Sequence, residues 1–313
     1  PDHTTWRINQ VILPLAQLLP SISGYTNCSS RDQAREIFDP ESNLVFPRGY
    51  TVGSPIERHH TGWSVLAAHQ DQNLQHLRAT PEAKNYARQW ISEHSGGRPA
   101  VALTFREARF TNSRDTDLDV WASFARNLLD AGFFPFVLRD IDTALRASPP
   151  QFDGITFAPE GVFNLELRMG LYEEAHICAF VANGPAQVCF YNRNVRFLYL
   201  VTGDWLDHEP SPFNRIGIGY GDTPPFCNHF QRWIWEKQSS HVLMENFRTL
   251  DHDIAGSRAS NEYETFLDPL FEYRQDLAKV GERILQWVAT NDFSTPQELE
   301  LAEACIGETD PDR

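Results

Sequence analysis

The chain has 313 residues, 41% of them hydrophobic, and a formal net charge of −15. This hydrophobic content is sufficient for a sizeable folded core, and the length is sufficient for two domains. The excess of acidic residues argues against a nucleic-acid-binding protein, which needs a basic face for phosphate contacts, although a local basic pocket for a phosphorylated small molecule remains compatible with it.

No apolar stretch is long enough to span a bilayer, and no secretory signal peptide is visible. The five cysteines are scattered and form no C-x-x-C pair, a pattern typical of buried, reduced thiols. We therefore expect a cytoplasmic protein without a transmembrane segment. Peripheral contact with a membrane is compatible with this expectation.

The first 97 residues show helical patterns and little that is typical of a strand. The clearest helix has Thr80 as its N-cap and Pro81 in its first turn, and it ends at Gly96. Short apolar runs then alternate with amphipathic segments. They predict strands at 100–105, 135–142, 154–158, 176–182 and 196–201, and helices at 115–132, 164–175 and 185–192.

This alternation predicts an α/β fold with an open, mostly parallel, Rossmann-like sheet and helices on both faces. Further helices are expected at 228–247 and, as a long amphipathic helix interrupted near Pro269, at 261–289. We divide the chain into an N-terminal domain (1–97), a Rossmann-like domain (98–260) and a C-terminal helix and tail (261–313).

The predicted strand 176–182 ends in the sequence Asn183-Gly184-Pro185. In open parallel sheets, ligands bind beyond the carboxyl ends of the strands. Gly184 would let a ligand approach the backbone, and the N–H groups of Ala186 and Gln187 are expected to be free for a diphosphate. The alternative is an ordinary tight turn between a strand and a helix.

The strand at 100–105 is followed by Arg106, Arg109 and Arg114. Arginine grips phosphate oxygens with its planar fork, and Arg106 should lie at the same edge of the sheet as Gly184. Alternatively, these arginines belong to a solvated loop and pair with Asp115, Asp117 and Asp119.

Three other patterns have less chemical content. The Asp-Thr-Asp sequence at 115–117 directly precedes a helix, so we interpret it as a cap rather than a metal site. The glycines of 217–221 lack the spacing of a dinucleotide fingerprint. His60, in the Arg-His-His sequence at 58–60, is either a general base or a surface residue.

The segment 98–205 resembles glycosyltransferases of the GT-B fold. Its turn Ala182-Asn183-Gly184-Pro185 is similar to the Asp-Ser-Gly-Pro turn of heptosyltransferases. Arg106 and the Gln187-Val188 pair resemble the His-x-Arg-Arg and Ser-Ser-Gln-Val sequences of the fucosyltransferase superfamily. The chain departs from these patterns, because Thr104 replaces the histidine, Pro185 and Ala186 replace the two serines, and Asn183 replaces the heptosyltransferase serine.

The resemblance implies transfer of a sugar from a nucleotide-diphosphate donor to a glycan or other acceptor, without a cofactor or an obligatory metal. Arg106 and Arg109 would neutralise the departing diphosphate, and the turn formed by Asn183, Gly184, Pro185, Ala186 and Gln187 would hold it. The catalytic base would be Glu107, Asp140 or His60.

The resemblance further suggests a bacterial enzyme of polysaccharide biosynthesis. The N-terminal domain would supply the acceptor side, either truncated or reduced, and the C-terminal helix would brace it. The alternatives are a nucleotide-sugar epimerase or hydrolase on the same fold, and a non-catalytic module that binds a glycan or a protein.

Overall fold

The fold is described from a computed structural model of the chain. It describes residues 13–20, 22, 24–38, 51–53, 74–107, 112–203 and 218–259, together with positions 9, 206 and 213. The helices among these residues are α1 (Leu13–Gln17), α2 (Arg31–Ile37), α3 (Pro81–Ser95), α4 (Leu118–Asp130), α5 (Glu160–Phe163), α6 (Leu165–Glu174) and α7 (Ser240–Ala259). Three 3₁₀ segments span Asn112–Arg114, Pro150–Phe152 and Pro185–Tyr191.

Six parallel strands form a single sheet in the described part of the chain. They are β1 (Ala100–Thr104), β2 (Phe134–Leu138), β3 (Thr156–Phe157), β4 (Ile177–Val181), β5 (Phe197–Leu200) and β6 (Gln231–Ile234). Their order across the sheet is β3-β2-β1-β4-β5-β6, and every neighbouring pair is parallel. The predicted Rossmann-like sheet is therefore confirmed, since this order is that of doubly wound α/β folds.

One face of the sheet is covered by α4 and α7. Side chains of alternate strand positions, such as Leu103, Ala179 and Leu198, are fully or almost fully buried in one hydrophobic cluster with Trp121 of α4 and Phe247 of α7. Successive strand residues point to opposite faces, so the intervening positions must be covered by other elements.

The opposite face is covered by α3, α6 and the 3₁₀ segment Pro185–Tyr191. The ring of Trp90 in α3 lies 5.2 Å from that of Phe136 in β2, and the Tyr172 hydroxyl of α6 hydrogen-bonds the Thr104 hydroxyl at 2.8 Å. Helices therefore cover both faces, as predicted, and every residue of β1, β2, β4 and β5 is buried.

The predicted helix ends are also confirmed where they depend on local chemistry. The Thr80 side chain accepts from the Ala83 N–H, and Gly96 closes α3 with a φ of 61°. The Asp117 carboxylate accepts from the Val120 N–H at the start of α4. Asp117 is thus a helix cap, as interpreted from the sequence.

Two secondary-structure predictions are wrong in part. The helix expected at 228–247 begins only at Ser240, and Gln231–Ile234 forms β6 instead, because these residues pair in register with Phe197–Leu200 of β5. The segment after β4 is a 3₁₀ rather than an α-helix. The long helix predicted at 261–289 lies outside the described residues.

The described residues fall into two compact units. One contains the sheet with α1 and α3 to α7, and the other contains α2. In the second unit, the Ser30 side chain caps α2 by accepting from the Gln33 N–H. The domain boundaries predicted at 97 and 260 stay predictions. Among the described residues, no helix combines the length and apolar character needed to cross a membrane.

Candidate ligand-binding site at the carboxyl edge of the sheet

The winding of the sheet reverses between β1 and β4. From β1 the chain proceeds outward to β2 and β3, whereas β4, β5 and β6 extend in the other direction. At such a switch point the connections leave neighbouring strands toward opposite sides, which opens a crevice at their carboxyl ends. The residues that follow Thr104 and Val181 border this crevice.

Asn183 joins the two strand exits. Its Nδ2 donates to the Phe105 carbonyl at 2.9 Å and to Asp140 Oδ1 at 3.3 Å, and its Oδ1 accepts from the Ala186 N–H at 3.3 Å. The side chain is buried, with 3% of Asn183 exposed. The expected convergence of the β1 exit and the β4 turn at one edge is therefore confirmed.

The turn after β4 has an open tip and a closed base. Gly184 is exposed, and a Cβ built on it would meet no atom within 4 Å. The Ala186 N–H donates to the Asn183 carbonyl at 3.2 Å, and the Gln187 N–H donates to the Gly184 carbonyl at 3.1 Å. The expectation that these two N–H groups are free is therefore wrong, since 3₁₀ bonding satisfies both. Pro185 is half-buried at the start of this segment.

Arg106 lies at the β1 side of the crevice. Its Nε is 3.2 Å from Asp115 Oδ1, and 11% of its side chain is exposed. Its backbone N–H donates to Thr116 Oγ1 at 2.9 Å, and its carbonyl accepts from the Thr116 N–H at 3.0 Å. The pairing with an aspartate that the sequence left as an alternative is thus present for Arg106, whose charge also acts on Asp140.

Glu107 is held in a clamp. Arg139 donates to its two carboxylate oxygens at 2.9 and 2.5 Å, and the Thr143 hydroxyl donates at 2.7 Å. Burial alone would raise the pKa of Glu107, but the hydrogen bonds from Arg139 and Thr143 and the Arg139 charge outweigh it, so the pKa lies below its ordinary value. The Glu107–Arg139 ion pair therefore links the residues that follow β1 to those that follow β2.

Asp140 connects three strand exits. It follows β2, its Oδ2 accepts from the Glu107 N–H at 2.6 Å after β1, and its Oδ1 accepts from Asn183 after β4. Burial raises the pKa of Asp140 above its ordinary value, against the Glu107 N–H bond and the charges of Arg106 and Arg168, which lower it. A partly desolvated carboxyl at a switch point is a typical feature of functional sites.

The clamp at Glu107 gives a testable consequence for stability. The variant Glu107→Gln is expected to lower the free energy of unfolding at pH 7 by about 2 kcal/mol, because the Arg139 side chain, only 7% exposed, loses its counter-charge. Ionised Glu107 stabilises the fold above its unfolded pKa of about 4.3, and this contribution is lost as the pH falls through its lower folded pKa. The difference between variant and wild type should therefore shrink below about pH 4.

Denaturant unfolding at a series of pH values measures this difference. The matched control is Glu93→Gln, an exposed α3 residue that accepts one hydrogen bond from Gln89, for which a change below about 0.5 kcal/mol is expected. If Glu107→Gln and wild type were equally stable at pH 7, the Glu107–Arg139 ion pair would not stabilise the fold, contrary to this prediction.

The remaining predicted site residues are Arg109, Arg114 and His60. Arg109 and His60 lie outside the described residues, so their roles stay predictions. The Arg114 carbonyl accepts from the Thr202 hydroxyl at 3.2 Å, and a Cβ on Gly203 would lie 2.7 Å from Arg114 Cγ. The segment around Arg114 therefore packs against the exit of β5. Among the described residues, no group of three or more acidic, histidine or cysteine side chains is arranged to hold a metal ion.

Sequence reasoning missed two arginines of this region. Arg139 and Arg168 are 6% and 2% exposed, respectively. An arginine at the end of an apolar strand, followed directly by Asp140, was a usable signal for the first. Arg168 lies within α6, most of whose residues are buried, and no sequence pattern distinguishes it. Cys178 and Cys189 are fully buried, as predicted, and burial raises the pKa of both thiols.

The sheet order and the crevice define a doubly wound α/β protein with a candidate ligand site at its switch point. Comparisons with protein-family models and with curated proteins found no match. Among solved structures, the E. coli ADP-heptose LPS heptosyltransferase II is similar at 16% identity, with a TM-score of 0.42, over 57% of this chain and 54% of that one.

A glycosyl transferase of family 9 from Veillonella parvula is similar at 11% identity, with a TM-score of 0.41, over 56% of this chain and 53% of that one. The chain thus spans about half the length of the solved structures it matches.

Proposed function

We propose that this protein is a glycosyltransferase that binds a nucleotide-diphosphate sugar at the β1/β4 crevice and transfers the sugar to a glycan acceptor. The observation that carries the proposal is the convergence of Arg106 and the exposed Gly184 at one edge of a doubly wound sheet, cross-linked by Asn183. Cytoplasmic location, independence of a metal ion and a role in polysaccharide biosynthesis are parts of the same proposal.

Donor binding would use the two sides of the crevice differently. The open tip at Gly184 permits close approach of a diphosphate to the backbone, because no Cβ stands in the way. Arg106 supplies the positive charge, and the diphosphate would compete with Asp115 for its guanidinium. This competition favours a ligand with two or more negative charges over a neutral sugar.

Catalysis would follow from the growth of negative charge on the departing diphosphate. A guanidinium already positioned at that charge stabilises the transition state more than the ground state, which is the condition for a rate gain. Arg106 has this role in the proposal, and Arg109 is its predicted second member.

Among the candidate bases, Asp140 fits better than Glu107. Glu107 has a lowered pKa and accepts three side-chain hydrogen bonds from Arg139 and Thr143. Asp140 has a raised pKa and accepts from one backbone N–H and one amide. A higher pKa makes a carboxylate a stronger proton acceptor. His60 remains the third candidate.

A thermal-shift panel of GDP, ADP, UDP and CMP tests the proposal. We expect one nucleoside diphosphate to raise the melting temperature, since a ligand that binds only the folded state stabilises it in proportion to RT ln(1 + [L]/Kd). The corresponding nucleotide sugar should then lose its sugar to an acceptor, with the same rate in EDTA.

The other outcomes separate the alternatives. Release of the sugar to water alone would indicate a hydrolase, and interconversion of the sugar without release would indicate an epimerase. If no nucleotide changes the melting temperature, a non-catalytic binding module is the better interpretation and the transferase proposal fails.

A further inference from the structure

Arg168 is a buried arginine with an incompletely bonded guanidinium. Its Nε donates to the Gly161 carbonyl at 2.6 Å. Its Nη1 is shielded from solvent and has no hydrogen-bond partner within the part of the chain that the structure describes. Buried polar groups are nearly always hydrogen-bonded, so an unpaired N–H of a charged side chain indicates an acceptor that the described residues do not supply.

The position of Arg168 relates it to the β1/β4 crevice. Tyr172, four residues later on α6, hydrogen-bonds Thr104 at the last position of β1. Arg168 therefore lies about one helical turn, roughly 5.4 Å, from the level at which β1 ends. Burial raises the pKa of Asp140, which follows β2, and that of Cys189 in the 3₁₀ segment after β4, and the Arg168 charge opposes both increases.

Asp140, on which the Arg168 charge acts, does not satisfy Arg168. Asp140 accepts from the Glu107 N–H through Oδ2 and from Asn183 through Oδ1. Among the described residues, no ion pair within 4.0 Å joins Asp140 to Arg168, and the hydrogen bonds of Asp140 go elsewhere. The Arg168 charge thus acts on Asp140 over a distance and keeps donor capacity for a further anion.

We propose that Arg168 binds an anionic phosphate oxygen of the ligand from the α6 side of the crevice, in addition to Arg106 on the β1 side. This inference rests on the proposed function, because it takes the diphosphate of that donor as the anion. Two guanidinium groups from different elements would then grip the diphosphate, and Asp140 between them would set how tightly an anion is held. A second arginine also explains why a pocket in so acidic a chain can attract a dianion.

The test compares Arg168→Met, Arg168→Lys and wild type by isothermal titration with the nucleoside diphosphate that stabilises the wild type, and with inorganic pyrophosphate. We expect Arg168→Met to weaken binding of both by about tenfold, the effect of one lost charge-assisted hydrogen bond. Arg168→Lys keeps the charge without the fork, so binding should be intermediate.

The control is Arg126→Met. Arg126 lies on α4, at the opposite face of the sheet, and its Nη1 likewise donates to a backbone carbonyl, that of Gln151, at 2.7 Å. It should bind both ligands as wild type does. Melting temperatures without ligand show whether each variant is folded. If Arg168→Met does not fold, the comparison is made with Arg168→Lys alone.

Each outcome decides between the two proposals. Suppose that the wild type binds a nucleoside diphosphate and that the folded Arg168 variants bind it equally well. This result overturns the Arg168 inference and leaves the transferase proposal standing. Binding of pyrophosphate but of no nucleotide, lost in Arg168→Met, supports the Arg168 anion site and overturns the nucleotide-sugar donor. A wild type that binds neither pyrophosphate nor a nucleotide overturns both.

Discussion

The variant Gly170→Ala is expected to lower the free energy of unfolding by about 3 kcal/mol or more, the upper range for overpacking a core. Gly170 lies on α6 where this helix crosses α3, and a Cβ built on it would stand 2.3 Å from the carbonyl oxygen of Ala83 and 2.6 Å from its carbonyl carbon. The obstacle is backbone rather than a flexible side chain, so relief requires the two helices to separate.

Chemical denaturation of Gly170→Ala measures this cost, and Gly256→Ala is its matched control. Gly256 is an exposed glycine on α7, and its Cβ would meet no atom within 4 Å. In a helix, alanine is preferred over glycine by about 0.5–1 kcal/mol, so this control should be stabilised. A Gly170→Ala protein as stable as wild type would show that α3 and α6 are not packed at this distance.

The variant Arg106→Met is expected to bind the stabilising nucleoside diphosphate about 100-fold more weakly than wild type, which corresponds to about 2.7 kcal/mol. The loss arises because a bidentate, charge-assisted contact to phosphate is removed. The unliganded protein should also lose stability, because the side chains of Arg106 and Asp115 are only 11% and 23% exposed and Asp115 loses its counter-charge. Unfolding without ligand measures this loss separately from the loss of binding.

Arg88→Met controls for the loss of one positive charge. Arg88 lies on α3, away from the crevice, and its Nη2 also pairs with an acidic side chain, that of Glu174, at 2.9 Å. The diphosphate-induced rise in melting temperature should persist in Arg88→Met and disappear in Arg106→Met. An unchanged rise in Arg106→Met would mean that Arg106 serves only to pair with Asp115, the alternative that the sequence left open.

Much of the fold was predictable because its signals are local. Apolar runs long enough for a strand marked β1, β2, β4 and β5, and Thr80 and Asp117 marked the starts of α3 and α4. Strand β6 was not predictable in this way. Its residues fit either a helix or a strand, and pairing with β5 decided between them.

The candidate site was predictable only in outline. The two strand exits that meet at the crevice were correctly chosen, because parallel strands place their carboxyl ends at one edge. The chemistry of that edge depends on partners distant in the chain. Asn183 bonds the Phe105 carbonyl across 78 positions, and Glu107 bonds Arg139 across 32. The hydrogen bonds that the Ala186 and Gln187 N–H groups donate within the turn likewise became known only with its 3₁₀ geometry.

The sequence by itself determined the alternation of buried strands and capped helices, and hence an α/β sheet with Arg106 and Gly184 leaving it at strand ends. Only the tertiary structure decided that Asp140 joins three strand exits and that Arg139 donates to the Glu107 carboxylate. It also decided that Arg168 is buried with a donor that no described residue satisfies. The physical reason is that hydrophobic periodicity and capping act over a few residues, whereas burial and hydrogen-bond partners are set by which segments the sheet brings together.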